Sequence, residues 1–137
     1  MNMLYSLTSP SGLRKVLWFD AVTGVGTGAI QLSASGLLAG WLGLPVALLQ
    51  GSGLAIFAFV ALAAWLALQP SPSRAGLTVI VVCNFAWALG CLALVFGGAA
   101  GLTALGVAYL MVQAIAVLVL AELQWMGLKR LPEAVMA

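Results

Sequence analysis

The sequence predicts an all-α protein, a four-helix transmembrane bundle with both termini cytoplasmic. Three observations carry that expectation. First, 64% of the 137 residues are hydrophobic and 6% are charged, against about 25% charged in an average soluble domain. So much apolar surface cannot be hidden from water, and lipid must be the solvent. Second, the apolar residues fall into four runs, each of about 20 residues or more, enough to cross a hydrocarbon core of about 30 Å. Third, every Lys and Arg lies where an even-numbered hairpin topology brings it to one side of the membrane.

Residues 1–137 are expected to form one membrane domain, with breakers marking its spans. Arg14 and Lys15 resemble the n-region of a signal peptide, but the apolar run from Val16 to about Leu38 is longer than the roughly 7 to 15 residues of a normal h-region. It is therefore expected to be an uncleaved first span, 16–38, followed by a short turn, AGWLGL, at 39–44. Pro45 suits the first turn of a second span, 45–68, where its missing N–H is not needed. The loop QPSPSRAG at 69–76 holds two prolines that cannot continue a helix. A third span, 77–96, then leads through the turn GGAAG at 97–101 to a fourth, 102–128, stopped near Pro132.

Arg14 and Lys15 precede span one, Arg74 lies between spans two and three, and Lys129 and Arg130 follow span four. By the positive-inside rule this side is cytoplasmic. Trp18, Trp65 and Trp125 fall near the same boundary and Trp41 in the outer turn, as an aromatic belt requires. A net charge of +2 with no aromatic-basic cluster argues against nucleic acid as a partner. Asp20 and Asn84, Gln50 and Gln113, and Trp65 and Trp125 echo one another at offsets of 64, 63 and 60, the pattern two parallel two-helix halves would leave. Helix periodicity alone also produces such echoes.

Polar residues inside the spans locate any chemistry. Asp20, Thr23, Thr27, Gln31 and Ser35 follow at spacings of three, four, four and four, which sets them on one stripe of span one. Ala21, Gly24 and Gly28 lie beside the stripe, where small side chains let helices approach closely. The stripe suits helix-helix hydrogen bonding or a polar path, and neither permits it to face lipid. Tyr109, Gln113 and Gln124 lie near one face of span four. Glu122 is nine residues from Gln113, a rotation of about 180°, so it reaches the cytoplasmic interface or faces another subunit. Asp20 and Glu122 both fall roughly 10 Å to the cytoplasmic side of centre, with Asn84 nearer the midplane. A carboxylate in hydrocarbon costs about 2.5 to 3.5 kcal/mol on insertion scales and is usually paired, protonated or functional. Arg14, Lys15, Arg74, Lys129 and Arg130 are the available partners.

Several chemistries are excluded or unsupported. The chain has no histidine, which removes haem ligation by histidine, histidine-based zinc sites and Ser-His-Asp catalysis. Cys83 and Cys91 are eight residues apart, roughly 12 Å along a helix, too far to pair with each other. GVGTG at 24–28 lies inside a span and suits helix packing rather than phosphate binding. No catalytic residue, metal or cofactor is expected.

The segments LRKVLWFDA (13–21), LGLP (42–45), CNFAW (83–87) and AELQWMGLKR (121–130) resemble an uncharacterised family of small four-helix bacterial inner-membrane proteins. The resemblance implies a bacterial inner membrane and a similar bundle, and it carries no activity. The expected function is that of a multi-pass protein, not an enzyme, that binds or passes a small ligand or ion along the polar face of the first helix. Asp20 is the expected ionisable group, with Thr23, Thr27, Gln31, Asn84, Gln113 and Glu122 along the pathway. The alternative is a non-catalytic accessory or assembly subunit of a larger membrane complex. The expected partners are the lipid bilayer, a small molecule or ion, and further copies or subunits.

Overall fold

The computed structural model describes residues 10–70, 72–98 and 101–130, and it is all-helical over them. Five helices follow in order: α1 (Pro10–Ser33), α2 (Ser35–Leu42), α3 (Val46–Ala67), α4 (Arg74–Phe96) and α5 (Ala104–Arg130). Helices α3, α4 and α5 are each long and apolar enough to cross a membrane, and α1 with α2 supplies a fourth crossing if the bent pair counts as one span. Residues 99 and 100 of the expected turn, and Pro132 as the expected stop, lie outside the described residues.

The expected first span, 16–38, is corrected here. The helix breaks at Ala34, and α2 turns through 91° and runs on through the expected turn to Leu42. The break falls in Ser33-Ala34-Ser35-Gly36, a stretch of small residues inside a segment that is apolar as a whole. Ser33 donates its hydroxyl back to the Ala29 carbonyl at 2.6 Å, a local bond that bends helices, and sharp kinks collect at Gly/Ser pairs. Ala34 takes φ −120° and ψ 28° without a side-chain cap. At the other end, α2 stops at Gly43, which adopts φ 73° and bonds its N–H to Ala39 O. Helix α4 begins at Arg74, earlier than the expected 77, because the Ser73 hydroxyl accepts from Gly76 N–H at 3.2 Å and caps it.

The helices pair as two hairpins: α1 packs along α3, and α4 packs along α5, with sparser contact between the pairs. Glycines bring the first pair together. A Cβ at Gly28 would lie 2.9 Å from Phe57 Cε2, and one at Gly24 would strike Val60 Cγ2. Gly24 and Gly28 thus form the small-xxx-small face that lets membrane helices touch backbone to side chain. Gly28→Val is expected to lower the thermal midpoint in detergent by forcing α1 off Phe57, at a cost of about 1 to 3 kcal/mol. Gly26→Ala, whose new methyl meets nothing within 4 Å, serves as the control. Equal midpoints for the two variants would refute this account of the hairpin.

Two apolar clusters close the ends of the molecule. Leu13, Leu17 and Ala21 of α1 meet Ala63 and Leu66 of α3 and Leu77 and Ile80 of α4 at one end. Leu42, Leu44 and Leu49 meet Cys91, Leu110 and Ala114 at the other. Basic side chains cap helix ends at the first: Arg14 Nε donates to Ala67 O at 3.0 Å, and Arg74 Nη1 donates to Leu128 O at 2.9 Å. Cations at helix C-termini satisfy exposed carbonyls and complement the helix dipole.

Candidate functional site: a cavity between the hairpins

Between the two end clusters the hairpins stand apart around a cavity of about 1000 Å³. The wall of α1 is the polar stripe of the sequence, since Asp20, Thr23, Thr27 and Gln31 all line it. The i, i+3, i+7, i+11 spacing keeps them on one side of a straight helix. The bend at Ala34 ends the stripe. Ser35, beyond the bend, is buried elsewhere and accepts from Gln50 Nε2 at 3.1 Å. Most of the remaining lining is apolar or aromatic, including Phe19, Phe59, Leu62, Trp87 and Val112.

At one end of the cavity Asp20 joins three helices. Its Oδ2 accepts from Asn84 Nδ2 of α4 at 3.1 Å and from Gln124 Nε2 of α5 at 2.7 Å. Asn84 Nδ2 spends its other proton on Gln124 Oε1, at 2.6 Å, closing a ring of three bonds. The three side chains are 5%, 4% and 0% exposed, respectively. In so dry a setting, two amides turning N–H groups to one carboxylate oxygen replace the water it has lost. The ion pair with Arg or Lys expected as the bland role of Asp20 is absent among the described residues. Arg14 and Arg74 cap carbonyls instead, and Lys129 Nζ lies 4.6 Å from the Trp125 ring centroid. Nothing among the described residues donates to Asp20 Oδ1 or Asn84 Oδ1, and neither is a sealed, unpartnered atom. Two acceptor oxygens thus remain available on residues that line the cavity.

The opposite end is held by a second network. Gln31 Nε2 donates to Leu49 O at 3.0 Å and to Ser52 Oγ at 2.8 Å, while its Oε1 accepts from the Tyr109 hydroxyl. Its hydrogen-bonding capacity goes to fixing α1 against α3 and α5. Gln113 Oε1 accepts from Trp87 Nε1 at 3.1 Å, tying α5 to α4. Thr23 bonds the Phe19 and Asp20 carbonyls of its own helix, both at 3.0 Å, so its hydroxyl proton is already used.

Of the expected pathway residues, the cavity gathers Asp20, Thr23, Thr27, Gln31, Asn84 and Gln113, and it leaves out Glu122. Glu122 is exposed on the outer side of α5. The reason is angular: it precedes Gln124 by two residues, or about 200° around the helix, so the face that brings Gln124 to Asp20 turns Glu122 away. Gln124, Tyr109, Trp87 and Ser52 are part of the site though not among the expected pathway residues. Tyr109 and Gln124 share the helix face of Gln113, as their spacing indicates, since eleven residues after Gln113 is three turns to within about 20°. Ser52 and Trp87 carried no such signal, since their roles depend on how the hairpins meet.

No protein-family model matches the chain, and neither a curated protein nor a solved structure is similar to it. The resemblance carried by the short quoted segments gains no support from these comparisons, and the geometry stands by itself.

Proposed function

We propose that this chain is a four-span protein of the bacterial inner membrane, with both termini cytoplasmic, that holds or passes a small ligand in the cavity between its hairpins. Asp20 is its polar anchor. The observation that carries this reading is the cavity. At about 1000 Å³ it matches the upper range of small-molecule sites, roughly 300 to 1,000 Å³, and has their character of apolar walls with a few placed polar groups. The orientation rests on Arg14 and Arg74 gathering at one helix end with Lys129 and Arg130. Helix α2, nearly perpendicular to α1 and with exposed Leu37 and Trp41, suits the opposite lipid interface.

A second reading has its own observation. The ring joining Asp20, Asn84 and Gln124 is also a knot between three helices, as an assembly subunit would need. Exposed Glu122 then offers a polar contact to another copy or subunit.

Protein purified from native membranes into lipid nanodiscs is expected to bind the apolar probe 1-aminoanthracene saturably. Gly90→Phe should abolish this binding, since position 90 lines the cavity and a Cβ there meets nothing within 4 Å. Stoichiometric co-purification of a different protein, with probe binding absent or unaffected by Gly90→Phe, would reject the ligand-binding reading in favour of the assembly subunit.

A further inference from the structure

We infer that the cavity is a site for an amphipathic organic cation, an ammonium or guanidinium head on an apolar body. The head would donate to Asp20 Oδ1 and Asn84 Oδ1. This rests on the ligand-binding reading above and adds the chemical class of the ligand.

Charge complementarity comes first. Among the described residues Asp20 is the one acidic residue in the lining, and no Lys or Arg lines the cavity with it. Of the basic side chains at that end, Arg14 is engaged on Ala67 O and Arg74 on Leu128 O. An anion would meet a carboxylate with no compensating charge, and a neutral apolar molecule would leave the acceptor oxygens without donors. An unmatched buried polar group is penalised in either case.

Hydrogen-bond polarity comes second. The two amides present their N–H groups to Asp20 Oδ2, so what remains unfilled beside Asp20 is acceptor capacity: Asp20 Oδ1 and Asn84 Oδ1. A group with several N–H donors on one positive centre satisfies both oxygens.

Size decides between an organic and an inorganic cation. A bare metal ion needs a cage of oxygens, about six to eight for calcium. The described residues hold no cluster of three or more acidic or metal-binding side chains, and Gln124 faces Asp20 with a donor. An organic body instead fills the volume against Phe19, Phe59, Leu62 and Trp87. An ammonium or guanidinium head loses less by leaving water when its donors are met and its body is buried in apolar surface.

The test is a matched series on the purified protein in nanodiscs, read by equilibrium dialysis: 1-naphthylmethylammonium, the uncharged 1-naphthalenemethanol, and 1-naphthylacetate. The ammonium is expected to bind about tenfold or more tighter than the alcohol, the effect of a charge-assisted hydrogen bond, and the acetate not measurably. Asp20→Asn should remove the preference for the ammonium over the alcohol, and Gly90→Phe should remove binding of both. Equal affinity for the three probes, or a preference for the acetate, overturns the cation assignment while the cavity reading survives through 1-aminoanthracene. If that probe also fails to bind, both readings fall. The wild-type series decides the question even if Asp20→Asn does not insert.

Discussion

Asp20→Leu is expected to destabilise the protein by roughly 2 to 4 kcal/mol, because it strands two buried amide donors at about 1 to 3 kcal/mol each. Asn84 Nδ2 keeps its second bond to Gln124 Oε1, but the proton it gave to Asp20 loses its acceptor, and Gln124 Nε2 is left with no acceptor among the described residues. Both groups lie between helices, at 4% and 0% exposure, and water reaches them poorly. Leucine is the residue a membrane helix ordinarily favours at this depth, so insertion alone predicts the opposite sign. Asp20→Asn differs in kind: its side-chain oxygen can still accept from both amides, and stability should stay within about 1 kcal/mol of wild type, given that interhelical hydrogen bonds in membranes average about 0.6 kcal/mol. Thermal or SDS-titration midpoints of the two variants separate the interpretations. If Asp20→Leu matches or exceeds wild type, the ring does not hold the three helices together.

Gly106→Ala is expected to cost about 2 to 4 kcal/mol, combining overpacking with the loss of two hydrogen bonds at the far end of the molecule. A Cβ at position 106 would strike the carbonyl oxygen of Leu42 and come 2.7 Å from Leu102 Cδ1. A backbone carbonyl cannot swing aside as a side-chain tip can. That same oxygen accepts from Thr103 N–H at 3.1 Å, and the Thr103 hydroxyl donates to Trp41 O at 2.7 Å. These bonds fasten the last turn of α2 to the first turn of α5, where Thr103 Oγ1 also accepts from Gly106 N–H at 3.0 Å. Moving Leu42 therefore loosens α2, the junction and the apolar cluster around Leu42, Leu49 and Leu110 together. Gly40→Ala adds the same methyl to α2 where nothing lies within 4 Å. It should leave the thermal midpoint unchanged, and a matching drop there would show that helix backbone effects, not the junction, set the cost.

Much of the architecture was legible because it depends on composition and period. Helical content follows from apolar runs between breakers such as the Pro70–Pro72 loop. The polar stripe Asp20, Thr23, Thr27 and Gln31 follows from an arithmetic of 3.6 residues per turn, and the cavity takes its α1 wall from that stripe. The bend at Ala34 was not legible. Ser33, Ala34, Ser35 and Gly36 lie inside a segment that is apolar as a whole, and the bend goes with a Ser33 hydroxyl bonded to Ala29 O and with α2 meeting Thr103 far along the chain. Glu122 shows a different limit. Its depth and its place opposite Gln113 were readable from spacing, but which of the two faces looks inward was fixed only once Gln124 was known to face Asp20.

By itself the sequence determined that this is an all-helical protein, that its helices are apolar enough to suit lipid, and that Asp20 stands on the polar face of its first helix. These are properties of single segments, set by solvent and by helix period. Only the tertiary structure decided that the carboxylate meets two amides rather than a base, that no described residue donates to Oδ1, and that the hairpins part around a cavity. Such facts depend on which faces of separate helices are brought together. Bond direction also counts here, because an amide can offer either its N–H or its oxygen, and one-dimensional spacing does not record which end it turns to a neighbour.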